Sequence, residues 1–272
     1  MSSSLIPNDN HMYNSVDYWD KRYESVGQRA DSDNESYDWL VDYSNIKHII
    51  NQLIPKTASL LMLGCGNSLL SEQMFADGYC NIVNIDYSSP VIKQMSNHCD
   101  NCRQMQWSVM DCRELTFATE TFDVVIEKAT IDALLTEETD HWNISDTNRQ
   151  QISRVLQEVY RVLKTDGQFI SISFYGSHFR YPLYKSCFES NTDRLAMKAI
   201  HEVSASFHYY CYQLIKCVNK TIDFEPQVYE PPKVITTCLS GNCQSNQLID
   251  DKCLINANPV QDESHYLLNI NL

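Results

Sequence analysis

The chain has 272 residues, 43% hydrophobic and 21% charged, the balance of an ordinary globular protein long enough for one large α/β domain. Asp plus Glu outnumber Lys plus Arg by 35 to 21, and the net charge of −14 argues against a nucleic-acid binder, which carries a basic face. The same charge would suit a basic protein substrate steered by electrostatics, although acidic surfaces commonly serve solubility alone.

No apolar run approaches the length of a membrane span, so no membrane is expected. Met1-Ser2-Ser3-Ser4 lacks the charged and apolar regions of a signal peptide, and the 11 cysteines are odd in number and scattered. They read as reduced thiols in the cytoplasm. Residues 1–16 are expected to be a flexible N-terminus. An aromatic group follows: Tyr18, Trp19, Tyr23, then Tyr37 and Trp39, with the polar stretch Gln28–Ser36 between. Trp19 and Tyr23 are four apart and share a helical face, as a lid over a ligand or as a helix packed on the sheet edge. Ile46, Ile49, Ile50 and Leu53 form a helical stripe ending before Pro55.

Leu60-Leu61-Met62-Leu63 is a short apolar run suited to a buried central strand. Gly64-Cys65-Gly66 turns, and Leu69–Phe75 reads as a helix with Asn67 or Ser68 as its cap, Glu72 in its first turn and Gly78 at its stop. The next strand, Asn81–Asp86, ends on a carboxylate about 20 residues beyond Gly64, placed to hold ribose hydroxyls. A dinucleotide fingerprint wants a third Gly or Ala where this chain has Leu69. Its absence favours a ligand with ribose and adenine but no phosphates, namely S-adenosylmethionine, over a nicotinamide cofactor.

Ser88, Ser89 and Pro90 open a helix bearing Val91, Ile92 and Met95, and a strand near Met105–Met110 brings Asp111 to the same rim. Phe122–Ile126 is a fourth strand, running into Glu127-Lys128-Ala129-Thr130-Ile131-Asp132; Glu127 with Lys128 could be only a local ion pair, and Asp132 only a helix cap. Glu137–Asn148 reads as a polar loop and Gln151–Leu163 as a helix, with Thr165-Asp166-Gly167 turning into a strand over Gln168–Phe174. Tyr175–Tyr184 reads as a loop, and Ala199–Ser204 with Phe207–Cys217 as an antiparallel pair at the sheet edge. Strands alternating with helices give a doubly wound α/β sheet. The tail, 219–272, carries Glu225-Pro226 and Glu230-Pro231-Pro232 without periodicity and is expected to be partly ordered. Cys99 with Cys102, and Cys238 with Cys243, have zinc-like spacing but loose surroundings, so no metal is expected.

The chain resembles class I S-adenosylmethionine-dependent methyltransferases, and within them the lysine methyltransferases of translation elongation factor 1-alpha. Tyr18-Trp19-Asp20-Lys21-Arg22-Tyr23, Leu63–Ser68, Asp86-Tyr87-Ser88-Ser89, Phe122–Leu135 and His178-Phe179-Arg180 carry the resemblance, over roughly residues 17–217. It implies a Rossmann-like sheet of seven strands with an antiparallel last hairpin, spanning a methyltransferase domain over 17–218. It also implies that Trp19, Tyr23 and Trp39 close over the cofactor and that Gly64 holds its methionine part. Asp86 would bind the ribose, Tyr87 lie against the adenine, and Asp111 and Cys112 meet the adenine edge. Lys128 would reach the cofactor too, and Glu127, Lys128 and Asp132 form the activity motif. Ala129 stands where the family often has Gly, a mild change unless that backbone has a positive φ.

The implied reaction is direct methyl transfer to a lysine, with Glu127 and Asp132 positioning the amine or relaying its proton. Two other readings stand beside it: a methyltransferase of small molecules, and a cofactor-binding scaffold without activity.

Overall fold

A computed structural model describes residues 9–27, 36–98, 104–138, 144–188, 194–204 and 207–218. The chain divides into two units, Met1–Glu225 and Pro226–Leu272, and every described residue belongs to the first. The cysteines Cys99, Cys102, Cys238 and Cys243 and the proline-rich tail lie outside the described residues, as does most of Gln28–Ser36.

A 3-10 turn, Asn10–Asn14, leads into α1 (Val16–Gly27) and α2 (Tyr43–Leu53). Then β1 (Ser59–Leu63), α3 (Leu70–Ala76), β2 (Asn81–Asp86), α4 (Ser89–His98) and β3 (Gln106–Val109) alternate. The second half runs β4 (Phe122–Lys128), α5 (Thr130–Leu134), α6 (Asp146–Val162), β5 (Leu163–Ser173), α7 (Ser177–Ser186), β6 (Arg194–Ser204) and β7 (His208–Cys217). The seven strands order as β3-β2-β1-β4-β5-β7-β6, parallel from β3 to β5 and antiparallel at β5–β7 and β7–β6. This is the doubly wound sheet with an antiparallel last hairpin that the sequence implied. Chain reversal between β1 and β4 puts the sheet's switch point, where ligands collect, at the carboxyl ends of those two strands.

Strand alternation sorts the core into two layers. Leu60, Met62, Val124, Ile126, Ile170 and Ile172 face the layer that includes α2 and α3. Leu61, Leu63, Val125 and Phe169 face α5, α6 and α7. In α2 the residues Ile46, Ile49 and Ile50 are buried on one side, so its amphipathic stripe is what seats it on the sheet. No helix among the described residues is long and apolar enough to cross a membrane.

Two local expectations are corrected. Helix α6 begins at Asp146, inside the expected loop, because the Ser145 hydroxyl accepts the Asn148 N–H and Glu138 accepts the Ser145 N–H at 2.9 Å. The segment Tyr175–Tyr184 is mostly helix rather than loop: α7 starts after Gly176, whose carbonyl accepts the Phe179 and Arg180 N–H groups. Burial of Arg180, Leu183 and Tyr184, at helical spacing, outweighs Pro182 within it. At the start of α3, of the two expected caps, Ser68 supplies the hydroxyl that accepts the Leu70 N–H at 3.1 Å.

Candidate active site

Leu63 pairs with Ile85 on one side and with Glu127 on the other, which brings Gly64, Asp86 and Lys128 to one level of the sheet rim. Gly64 and Gly66 sit at φ +58° and +51°, a conformation that side chains resist. Space enforces the same choice. A Cβ on Gly64 would overlap the Thr130 side chain, and one on Gly66 would stand 2.9 Å from the Tyr23 hydroxyl.

Asp86 is buried and accepts the N–H groups of Gly66 and Ser88, both at 2.9 Å. Among the described residues no basic side chain pairs with it. Asp20, to which the Ser88 hydroxyl donates at 2.6 Å, adds repulsion. Burial above all, with Asp20 beside it, outweighs the two backbone hydrogen bonds and pushes the Asp86 pKa up to about 6.

The N-terminal segment folds over this turn. Trp19 stacks on Tyr23 at 5.7 Å, donates its indole N–H to the Tyr13 carbonyl at 2.7 Å, and meets Trp39 edge-on at 6.0 Å. Val91 and Met95 of α4 complete the cluster, with Tyr87 and Trp39 packed against it. The Arg22 guanidinium lies between 5.4 and 5.9 Å from the ring centres of Trp19, Tyr37 and Trp39. The aromatic helix is therefore packed on α4 and at the same time set over the glycine turn.

Lys128 does not pair with Glu127, because consecutive strand residues project to opposite faces. It turns toward the N-terminal segment, donating to Asp38 at 3.1 Å and to the Trp39 carbonyl at 2.7 Å. Burial lowers its pKa, with Asp38 opposing. The Ser68 hydroxyl also donates to Asp38. Asp38 thus ties the N-terminal segment to the glycine turn and to β4, a link that sequence spacing did not reveal.

Glu127 turns to the other face and caps α5. One oxygen accepts the Thr130 N–H at 3.0 Å and the Ile131 N–H at 3.2 Å. The other accepts the Ser171 hydroxyl, which lies 2.6 Å from the Tyr184 hydroxyl. Asp132 is therefore not the cap. It lies inside α5 and accepts from the Ser173 hydroxyl at 2.7 Å, from the Phe174 N–H at 3.3 Å, and from the buried Arg180 guanidinium. Burial raises the pKa of both carboxylates, assisted at Glu127 by the charge of Asp132. Ala129, just before α5, has φ +64°, the left-handed region in which the sequence departure from Gly matters.

Asp111 stands beyond β3 with Arg113 gripping both its oxygens at 2.7 to 3.1 Å. Burial alone would raise its pKa, but this guanidinium holds it below the usual carboxylate range. Cys112 follows it, partly buried against the α5–α7 layer. The structure thus gathers Trp19, Tyr23, Trp39, Gly64, Asp86, Tyr87 and Lys128 around the glycine turn, and places Glu127 beneath the start of α5 and Asp132 within it. Asp38, Thr130 and Arg180 join them; only His178-Phe179-Arg180, as part of a motif, had drawn attention to the last.

A family model described as a methyltransferase domain matches residues 61–171. EEF1A lysine methyltransferase 4 of Mus musculus is 35% identical over 210 residues, covering 77% of this chain and 79% of that protein. This chain belongs to that methyltransferase family. The Bos taurus relative of the same name is 34% identical over 229 residues, 84% of this chain and 87% of its own. Among solved structures, the cyclase SpnF matches with a TM-score of 0.53 over 78% of this chain and 98% of its own; at 12% identity it speaks for the fold alone.

Membership in the EEF1A lysine methyltransferase 4 family makes the chain an S-adenosylmethionine-dependent methyltransferase. Its residues fit that cofactor. Asp86 is a buried carboxylate with no cationic partner among the described residues, beside a turn whose positive φ angles favour glycine. Such a group suits neutral hydroxyl donors.

Proposed function

We propose that this protein methylates a lysine side chain of translation elongation factor 1-alpha, in the cytoplasm, using S-adenosylmethionine. The observation that carries the reading is the identity of 35% and 34%, over 77% and 84% of the chain, with two proteins named for that reaction. The net charge of −14 supports a basic protein partner over nucleic acid.

When bound, the cofactor supplies a methyl group activated on a sulfonium. The backbone at Gly64 holds the methionine part, and Asp86 accepts from the ribose hydroxyls. Tyr87 would lie along the adenine, with Asp111, whose two oxygens each accept twice from Arg113, and the Cys112 main chain at its edge. Trp19, Tyr23 and Trp39 exclude water from above. Lys128 fixes that cover through Asp38 and the Trp39 carbonyl.

The acceptor amine must be neutral to attack, while free lysine has a pKa of about 10.4. A carboxylate facing that amine would raise its pKa further. Glu127 and Asp132 direct their oxygens into internal donors, which supports a positioning role: Glu127 fixes α5, and Asp132 ties α5 to α7 through Arg180.

The reading is tested by incubating the protein and Asp86→Ala with tritiated S-adenosylmethionine and purified elongation factor 1-alpha. Label on that factor, lost with Asp86→Ala, is the expected result. Calorimetric binding of S-adenosylmethionine without label on the factor would reject the substrate and turn attention to small molecules.

A further inference from the structure

Helix α5 is five residues long, too short to hold its own shape, and Ala129 before it offers no capping side chain. Its first turn is held instead by Glu127, whose Oε2 accepts the Thr130 N–H at 3.0 Å and the Ile131 N–H at 3.2 Å. That turn bears on the glycine loop. The Thr130 hydroxyl donates to the Leu63 carbonyl at 2.9 Å, and the Thr130 side chain fills the space where a Cβ on Gly64 would stand. The place of the Glu127 carboxylate therefore sets the place of Thr130, and Thr130 forms a wall of the glycine turn.

Glu127 is itself held from behind. Ser171 lies opposite it across β4 and β5, and the Ser171 hydroxyl donates to Oε1. The Tyr184 hydroxyl of α7 is 2.6 Å from the same Ser171 oxygen. A hydroxyl carries one proton. Ser171 gives its own to Glu127, so Tyr184 must be the donor at the second contact. Tyr184, Ser171 and Glu127 are 1%, 0% and 2% exposed, which seals this order from solvent and strengthens each bond in it. The Tyr184 ring packs near Phe169 and Tyr212, with centroids 6.3 and 6.1 Å away, and so fixes its hydroxyl. The charges around Glu127 come from Asp132 on α5 and Arg180 on α7, and the thiols of Cys112 and Cys211 also face it. Burial and Asp132 favour the neutral acid, while the Ser171 hydroxyl and Arg180 favour the carboxylate.

We propose that Tyr184 is a positioning residue for the cofactor. Its phenol orders the Ser171 hydroxyl onto Glu127, Glu127 fixes the first turn of α5, and that turn presses Thr130 against Gly64, where the methionine part of S-adenosylmethionine is held. The inference rests on the cofactor placement given above and adds a side chain on α7 that acts on it through three others.

The test is calorimetric binding of S-adenosylmethionine to the full chain, for wild type, Tyr184→Phe, Glu127→Gln and the double variant. It is run at mildly alkaline pH, where Glu127 is ionised despite its burial, with thermal melting alongside. Tyr184→Phe keeps the buried ring and removes one oxygen. It should weaken binding about five-fold, the worth of one hydrogen bond. In Glu127→Gln the amide oxygen keeps the Thr130 and Ile131 N–H groups while the amide nitrogen donates to Ser171, so the phenol proton is no longer needed. Adding Tyr184→Phe there should weaken binding by less than about two-fold. Tyr79→Phe is the control: that hydroxyl is equally buried and serves acceptors in and just after α2. It should lower the melting temperature and leave affinity unchanged. Unchanged affinity in Tyr184→Phe overturns the proposal. So does an equal loss in the wild-type and Glu127→Gln backgrounds, which would mark a general loosening of the fold. Where Tyr184→Phe fails to fold, Ser171→Ala removes the bond to Glu127 directly, and unchanged affinity there overturns the proposal as well. Wild type that fails to bind S-adenosylmethionine overturns the cofactor reading and this inference with it. Wild type that binds the cofactor without labelling elongation factor 1-alpha rejects only the substrate, and the affinity comparison still decides the role of Tyr184.

Discussion

At the scale of single residues, Ala129 is a strained position with a simple remedy. Its φ of +64° costs an alanine about 1–2 kcal/mol, while a glycine there would lose about 0.4–1 kcal/mol through the unfolded chain. Ala129→Gly should therefore stabilise the fold by about 0.5–1 kcal/mol, an upward shift of about 1–4 °C in thermal melting. Asp86 gives a pH signature. Its folded pKa of about 6 lies above the unfolded value of about 3.9, so its contribution to the ligand-free fold is full below about pH 4 and is lost as pH rises through about 6. The carboxylate form is the one that accepts hydroxyl donors. The melting increment produced by S-adenosylmethionine should thus grow between about pH 5 and about pH 7.5, and Asp86→Asn should flatten that rise.

At the scale of elements, the N-terminal segment is held by a buried pair. The Lys128 and Asp38 side chains are 6% and 10% exposed. Removing Asp38 leaves an ammonium buried without its partner, at a cost of about 3 kcal/mol, tempered because burial already lowers the Lys128 pKa. Asp38→Ala should melt markedly lower, and Asp38→Ala with Lys128→Met should recover much of the loss. Additive losses in the double variant would show that the two groups do not act as a pair. The strand–turn–helix around Gly64 was legible in sequence because glycine, an apolar run and a terminal aspartate carry their meaning locally. Helix α7 was not: Gly176 and Pro182 punctuate it as a loop, and only the spacing of Arg180, Leu183 and Tyr184 points the other way. Lys128–Asp38 and Arg180–Asp132 join positions 90 and 48 residues apart, and nothing local marks either partner for the other. The alternative reading of Glu127 and Lys128 as a local ion pair fails for a related reason, since adjacency in a strand means opposite faces.

At the scale of the whole molecule, the sheet divides labour about its switch point. Strands β1 to β3 lie on the side of Asp86 and Asp111, and β4, β5 and the antiparallel hairpin on the side of Asp132 and Arg180. The net charge of −14 acts on encounter rather than on chemistry. Raising salt from about 50 to about 300 mM should lower kcat/KM for the basic protein while leaving S-adenosylmethionine affinity nearly constant, because screening weakens long-range attraction between exposed charges. An activity indifferent to salt would assign that charge to solubility alone.

The Thr130 side chain stands where a Cβ on Gly64 would go, and its hydroxyl donates to the Leu63 carbonyl at 2.9 Å. Two short motifs far apart in the chain therefore share one small volume. In a library randomised at both positions, alanine or serine at 64 should survive only in clones that have shrunk residue 130, and then at reduced fitness because the backbone stays at positive φ. Among descendants of this chain, drift at 64 is thus licensed by residue 130, and a single-site survey would record Gly64 as immutable when part of that constraint belongs to its neighbour.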